Sequence, residues 1–381
     1  MKICAINNLY FPYNKGGAEK VIEAVRYFWT QKGHDFFVIS SRPKKKSHKN
    51  EEIKRDYYFN SWYFDLNKMP RLFRYFWHLY DLFDVITAFK ICRVVKKEKP
   101  DFILLNNLKG LSYFLPFFLK NLKIKTILIL HDVQLIEPSG LIIFEKENRI
   151  KSTINRFYIF LCRMLYSGIV FVISPSKWLL DLHVQNDFFK KAIIKKVVPN
   201  PAPDFYTECI QHNHGVNNFL FVGQLASHKG VDMLVDVFSR QADFKLNIIG
   251  EGHKINKNKY FNIEFLGKMN RNEVLKKMKE ADCLVVPSLC YENSPTVIYE
   301  AASVGLPVIA SRIGGIPELV KYLGGALFNP GDKLDLMKKI IWASKNPKIL
   351  REMGLKSREK IKQYSVVNYC EQIESIKNIS D

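Results

Sequence analysis

Short apolar runs alternate with longer segments in which apolar residues recur every three or four positions, and this alternation continues along most of the 381 residues. It predicts buried parallel strands joined by helices, an α/β architecture. In the first half the predicted strands are Ile3–Asn7, Phe36–Ile39, Phe102–Asn106, Thr126–Leu130 and Ile169–Ile173. The pattern stops at Pro199-Asn-Pro-Ala-Pro203 and the polar stretch that follows to Asn218, because clustered prolines fit neither a helix nor a central strand. A second series then begins, with strands Phe219–Gly223, Lys245–Ile249, Ile263–Leu266, Cys283–Val286 and Pro307–Ala310. Two domains are therefore expected, 1–203 and 204–365, with a closing helix in 366–381, and the length suffices for two separate cores.

The densest chemistry lies in Val286–Ser311, VPSLCYENSPTVIYEAASVGLPVIAS. The strand signal leads into a polar turn, and Ser294-Pro295 reads as N-cap plus first helical residue, with Asn293 before it and Thr296 after it. A helix start there offers backbone N–H groups and a positive dipole end to an anion such as a diphosphate. Glu292 precedes the cap and Glu300 lies about five residues inside the helix, roughly 7–8 Å along the axis at ~1.5 Å per residue. The two carboxylates thus bracket a diphosphate, where the sugar and the ribose of a nucleotide-sugar would present hydroxyl donors. A single glutamate on a surface helix is ordinarily just solvated; the pair and its spacing point to chemistry.

Two further turns join a strand to a helix through glycine. Asn14-Lys-Gly-Gly-Ala-Glu19 follows the first strand, and Val222-Gly-Gln-Leu-Ala-Ser-His-Lys-Gly230 follows the first strand of the second series. Either glycine turn alone has a steric explanation. Ile249-Gly-Glu-Gly252 lacks the third glycine of a dinucleotide loop and reads as a tight turn near a base pocket, with Gly267-Lys268 beside it.

A Glu followed by seven residues and a second Glu, with Ser-Pro between them and Glu-Ala-x-x-x-Gly-x-Pro-Val after, resembles the retaining glycosyltransferases of family 4 (GT4). The resemblance covers nearly the whole chain and is strongest over residues 219–320. It implies the GT-B architecture, two Rossmann-like domains facing each other across a cleft, with the last helix, about Val366–Ile379, crossing back to the first domain. It also implies a nucleotide-sugar donor linked to UDP or GDP, no further cofactor and a metal-independent site. Glu292, Lys229 and His131 take the catalytic positions, His131 beside the transferred sugar. Gly16 and Gly17 close over the diphosphate, and Gln224, Asn293, Ser294, Thr296 and Glu300 join them in binding the donor. The family often carries Arg where this chain has Gln224, so more of the diphosphate charge rests on Lys229. No Asp-x-Asp occurs, in keeping with a helix dipole and a lysine in place of a divalent cation.

Charge refines the picture. The formal net charge is +21, and residues 1–200 hold 34 Lys+Arg against 17 Asp+Glu. That excess can attract anionic lipid, phosphorylated lipid, polyanionic glycan or nucleic acid, or can reflect a general solubility or genome-composition bias. Tyr57–Phe83 interleaves aromatics with Lys68, Arg71 and Arg74, as suits either a membrane interface or a core helix with snorkelling arginines. Lys44-Lys-Lys46, Lys190-Lys191 and Lys195-Lys196 extend the basic character. The apolar region Ile154–Ser174 carries Arg156 and Arg163 and breaks at Ser167-Gly168, so it reads as helix then strand, not a membrane span. The first residues do not fit a signal peptide, and a cytoplasmic protein, peripheral on the inner face of the cell membrane, is expected. The seven cysteines show no metal-ligand spacing and read as reduced and mostly buried. His212-Asn-His214 in the polar linker reads as solvated.

The reading is a glycosyltransferase of hexosyltransferase type that moves a sugar from a nucleotide-sugar to a glycan or lipid-linked glycan, in synthesis of a cell-surface polysaccharide or lipopolysaccharide. Its rivals are a GT-B nucleotide-sugar epimerase and a polyanion-binding protein. The second leaves Glu292 and Glu300 unexplained, and nucleic acid is not expected as a partner.

Overall fold

The computed structural model describes residues 1–13, 16–44, 55–202, 215–252 and 260–379. The chain divides into two compact units, one of residues 1–141, 148–200 and 366–381, the other of 142–147 and 201–365.

In the first unit the order is β1 (Lys2–Ile6), α1 (Gly17–Gln31), β2 (Asp35–Pro43), β3 (Tyr57–Ser61), α2 (Arg71–Leu82), α3 (Val85–Glu98), β4 (Phe102–Leu105), α4 (Leu115–Leu119), β5 (Lys125–Ile129), α5 (Thr153–Leu165), β6 (Phe171–Ser174), α6 (Lys177–Gln185) and β7 (Ile194–Val197). The seven strands pair in the order β3-β2-β1-β4-β5-β6-β7, every pair parallel. Strands such as Phe102–Leu105 are apolar throughout because helices cover both faces of a parallel sheet. On one face, Val21, Ile22, Val25 and Trp29 of α1 form the buried stripe of an amphipathic helix over the sheet.

The second unit runs β8 (Asn218–Val222), α7 (Val231–Phe238), β9 (Lys245–Ile249), β10 (Ile263–Gly267), α8 (Arg271–Glu280), β11 (Cys283–Val286), α9 (Thr296–Val304), β12 (Val308–Ser311), α10 (Ile316–Leu323), β13 (Ala326–Phe328), α11 (Lys333–Lys345) and α12 (Pro347–Ile361). Its sheet is again wholly parallel, ordered β10-β9-β8-β11-β12-β13. The last helix, α13 (Val366–Lys377), belongs to the first unit, where it packs on α1 and Glu374 accepts from the Trp29 indole at 2.8 Å. Each predicted strand has a counterpart. The short edge strands β3, β7 and β13 are additional.

Tyr57–Phe83 divides its side chains between core and surface. Leu66, Trp77 and Leu82 are buried, while Phe73, Phe76, Leu79 and Tyr80 are exposed. Six of the seven cysteines are buried free thiols; Cys209 lies outside the described residues, as do Lys45, Lys46, His212 and His214. Among the described residues no helix is long and apolar enough to cross a membrane.

Helix α9 is buried on all sides and ends at Gly305, in the left-handed conformation at φ 77°. Helix α12 crosses that end so closely that a Cβ on Gly354 would stand 2.1 Å from the Gly305 carbonyl oxygen. Gly354→Ala should therefore destabilise the protein by roughly 1–3 kcal/mol through overpacking, despite the ~1 kcal/mol that alanine gains over glycine in a helix. Chemical denaturation checks this, and an unchanged or raised midpoint would show that α12 lifts off α9 without cost.

Candidate active site

In each sheet the chain leaves one central strand toward one edge and later returns to build toward the other. The reversal falls between β1 and β4 in the first unit and between β8 and β11 in the second. Ligand crevices of open α/β sheets form at the carboxyl ends of such strand pairs. The expected site residues sit there. Gly16 and Gly17 follow β1, His131 follows β5 beside β4, Gln224 and Lys229 follow β8, and Glu292–Glu300 follow β11.

In the second unit, backbone geometry brings two loops together. Ser227–Lys229 forms one turn of 3-10 helix, and Gly230 reverses the chain at φ 75°. A Cβ at position 230 would lie 1.8 Å from the Pro287 carbonyl oxygen, so only glycine allows this approach. The His228 carbonyl accepts from the N–H groups of Leu289 and Cys290 at 2.9 and 3.0 Å. Lys229 is thereby carried to Glu292, and its Nζ donates to Oε1 at 2.5 Å. Ser288 Oγ donates to the same oxygen at 2.9 Å. From the far side, Gly315 N–H donates to the Glu292 carbonyl at 2.8 Å, and Gly314 at φ 61° admits that contact.

These charges are partly withdrawn from water, with 26% of the Lys229 side chain and 17% of the Glu292 side chain exposed. Burial alone would lower the Lys229 ammonium, but the adjacent carboxylate raises it above its ordinary value, so it stays charged at neutral pH. Burial, and then the Lys229 charge, lower His228. Burial and the Glu292 charge push the Cys290 thiol up to about 12, which leaves no thiolate nucleophile at neutral pH.

Helix α9 opens at Thr296 with Pro295 in the cap position at φ −67° and ψ 118°, and no side chain caps it. This corrects the expected Ser294 cap. The Ser294 hydroxyl pairs instead with the Tyr299 hydroxyl at 2.6 Å, one turn into the helix. Thr296 is half-buried, Asn293 and Glu300 are buried, and Gln224 is exposed. Beside this site, Leu225 bridges to Gly252, and Gly250 N–H donates to the Gly267 carbonyl. The rest of the Gly250 turn, 253–259, lies outside the described residues.

In the first unit, Gly16 is the extended N-cap of α1, and its N–H donates to the Glu19 carboxylate at 2.8 Å. One N–H expected for a phosphate is thus already held by a side-chain anion. Sequence reasoning missed this use of Glu19, although a glutamate three residues after a cap is its usual signal. His131 Nε2 lies 2.7 Å from Asn106 Oδ1. The Asn106 amide nitrogen donates to the Ile6 and Leu104 carbonyls, so its oxygen is the acceptor and His131 carries its proton on Nε2. Burial lowers His131 to about 4, leaving the ring neutral at neutral pH. Asp132 accepts from Gln134 N–H and from Asn107, and burial raises it to about 6. Asn106 was not foreseen, and no local pattern marks it.

Residues 142–147 form a strap across the Glu292 loop within the second unit. Ile143 bridges to Cys290, Phe144 N–H donates to Leu289, Tyr291 N–H donates to Ile142, and the Tyr291 hydroxyl donates to Glu147 at 2.9 Å. The described residues contain no group of three or more His, Cys, Asp or Glu side chains able to hold a metal.

Two family models divide this chain between them. "Glycosyltransferase Family 4" matches residues 15–202 and "Glycosyl transferases group 1" matches residues 206–365. The chain belongs to the family 4 glycosyltransferases. An "Uncharacterized 42.6 kDa protein in cps region" of Klebsiella pneumoniae is 26% identical over 339 residues, 86% of this chain and 90% of that protein. Two solved structures share the GT-B fold. Sucrose-phosphate synthase from Thermosynechococcus elongatus matches with a TM-score of 0.73 at 18% identity, over 98% of each chain. Anabaena HepE in complex with UDP-glucose matches with a TM-score of 0.69 at 17% identity, over the whole of both chains.

The hydrogen bonds around His131 fix a protonation state that NMR can read. The ring should be the neutral Nε2–H tautomer at pH 6 and take up a proton near pH 4. Because that value lies below the ordinary one for histidine, this ring opposes unfolding less as pH falls from about 6.5 to about 4. A ring of His131, assigned by comparison with His131→Asn, that titrates near 6.5 would overturn the tautomer and the burial argument together.

Proposed function

We propose that this glycosyltransferase moves a sugar, with retention at the anomeric carbon, from a nucleotide-sugar to a glycan or lipid-linked glycan in the synthesis of a cell-surface polysaccharide or lipopolysaccharide. The observation that carries this reading is the Lys229–Glu292 pair at 2.5 Å, held at the end of β11 beside the uncapped start of α9. The Klebsiella relative in a cps region supports the polysaccharide setting, and the UDP-glucose of the HepE complex supports a UDP-sugar donor.

In the proposed reaction the bond from the anomeric carbon to the diphosphate breaks, and the acceptor oxygen forms the new bond on the same face. The acceptor's proton passes to the departing diphosphate. Lys229, charged and low in solvent, and the N-terminal N–H groups of α9 meet the growing negative charge, a task that in other enzymes can fall to a divalent cation. As Lys229 turns to the diphosphate, Glu292 exchanges its ammonium partner for sugar hydroxyls, with Ser288 still holding the carboxylate. Glu300, on the same helix and buried, takes the ribose hydroxyls.

Glu292→Gln should lower transfer to less than about a tenth of wild type, a barrier increase of at least ~1.4 kcal/mol, while UDP affinity stays within a factor of about three. Product analysis with and without acceptor measures it. Retained turnover would remove Glu292 from the sugar site, and conversion of the donor to an isomer without acceptor would favour an epimerase.

Glu300→Ala should instead weaken UDP itself, since a charge-assisted hydrogen bond to ribose is worth about 1.5–3 kcal/mol. Calorimetry with bare UDP reads the change directly. An unaltered dissociation constant would take Glu300 out of the ribose site.

A further inference from the structure

The helices α3, α4 and α5 precede the consecutive parallel strands β4, β5 and β6. Right-handed crossovers place all three on one face of the first sheet, opposite α1. Neighbouring helices of this layer touch, α3 with α4 and α4 with α5, and Phe83 at the end of α2 packs on Phe114 at the start of α4. The inner side is ordinary core. The outer side is not an ordinary surface.

On α5 the residues Tyr158, Ile159, Leu161 and Leu165 already satisfy the inner face, yet Ile154, Phe157 and Phe160 point outward at 76, 59 and 46% exposure. Phe76 on α2, Ile86 on α3 and Phe117 on α4 are exposed by 63, 68 and 50%. Single exposed apolar residues need no explanation, but a set spread over α3, α4 and α5 of one layer, and over α2 joined to them through Phe83, does.

Charge decides what covers them. The four helices carry eight basic residues and two acidic ones. Of the acids, Asp81 is buried, accepting from Gly110 N–H at 2.9 Å, and Glu98 is bound by Lys2 and the Tyr57 hydroxyl. Asp84, just before α3, is spent on capping Thr87 N–H. Lys90, Arg93 and Arg156 stand exposed among the apolar residues, and the Arg93 guanidinium lies 4.5 Å from the centre of the Phe89 ring. A second copy of this face would bring like charges together. Beyond the helices, the exposed Asp187 pairs with Arg163 at 3.0 Å, which leaves the cations in excess. Aromatic side chains flanked by such an excess of cations match the headgroup layer of an anionic bilayer.

We propose that the outer side of α2–α5 is a membrane-docking face for anionic lipid, with α5 inserting Ile154, Phe157 and Phe160 at headgroup depth. This deepens the reading of a lipid-linked acceptor, and its biological sense rests on that reading. It also extends the expected basic-aromatic segment 57–83 to α5. The helix lies in the interface and does not span it.

Sedimentation with vesicles tests the face. Wild type should bind vesicles of phosphatidylcholine with roughly one part in three phosphatidylglycerol at low salt, and lose most binding in high salt or on pure phosphatidylcholine. The double substitution Phe157→Ser with Phe160→Ser, and separately Arg156→Glu, should each lower partitioning about tenfold or more. Wild type left in the supernatant with anionic vesicles at low salt, or double-variant binding equal to wild type, would overturn the proposal. So would a wild-type dimer in solution that the same double substitution dissociates, since the face would then belong to a second copy. Donor turnover in solution, without vesicles, separates this from the enzymatic reading. Normal turnover in a chain that ignores vesicles defeats the docking face alone, whereas vesicle binding without any sugar transfer defeats the transferase reading alone.

Discussion

The contact between Gly230 and the Pro287 carbonyl governs the geometry of the second unit's site. Two loops leave adjacent parallel strands, β8 and β11, and would ordinarily diverge toward their own helices. Because position 230 has no Cβ, one loop lies directly on the other, and the His228 carbonyl then locks both Leu289 and Cys290. Lys229 reaches Glu292 as a consequence of that stacking. Gly314 performs the same service on the opposite side of the Glu292 loop, so the carboxylate is fixed by backbone on two sides before any side chain acts.

Electrostatics follow from this fixed geometry. A lysine this far withdrawn from solvent would lose affinity for its proton, but the Glu292 carboxylate beside Lys229 reverses that. Ser288 supplies the second hydrogen bond to the carboxylate. Removing either partner strands the other, so substitutions here mix a stability cost with any catalytic one. Glu292→Gln is the informative change because it removes the charge while keeping an oxygen for Ser288 and Lys229. The strap at 142–147 adds a further hold through Tyr291 and Glu147, and its origin in the first half of the chain explains why no local reading of 286–311 anticipates it.

Much of the fold was legible because a doubly covered parallel strand is apolar along its whole length. Ile103–Leu105 and Leu284–Val286 leave no other reading. The missed strands lack that signature. β7 is Ile-Lys-Lys-Val at the sheet's edge, where the lysines reach water, and β13 is only three residues long. Ser294 was misread as a cap because serine before proline is the usual signal, whereas Tyr299, one turn later, competes for its hydroxyl. The charged pair was foreseen as two separate roles, not as a contact, since 63 residues separate Lys229 from Glu292. The same distance problem hides Asn106 behind His131.

The first unit resolves its buried charge in another way. Asp81 is raised to about 7 by burial, against the pull of the Gly110 and Ser112 N–H groups and of Lys109, while the buried Lys109 ammonium donates to the Pro138 carbonyl and is lowered. His131 and His78, both lowered to about 4, stay neutral. The carboxyls and the imidazoles therefore act in opposite directions on stability between about pH 4 and 7. The raised acids favour the folded state toward the acidic end, and the lowered histidines favour it toward the neutral end. The two sets therefore partly cancel each other's contribution to the pH dependence of stability. Buried, Asp81 ties the end of α2 to the Gly110–Ser112 turn ahead of α4 through backbone N–H groups, so the contact adds no exposed acid to a helix layer rich in basic residues.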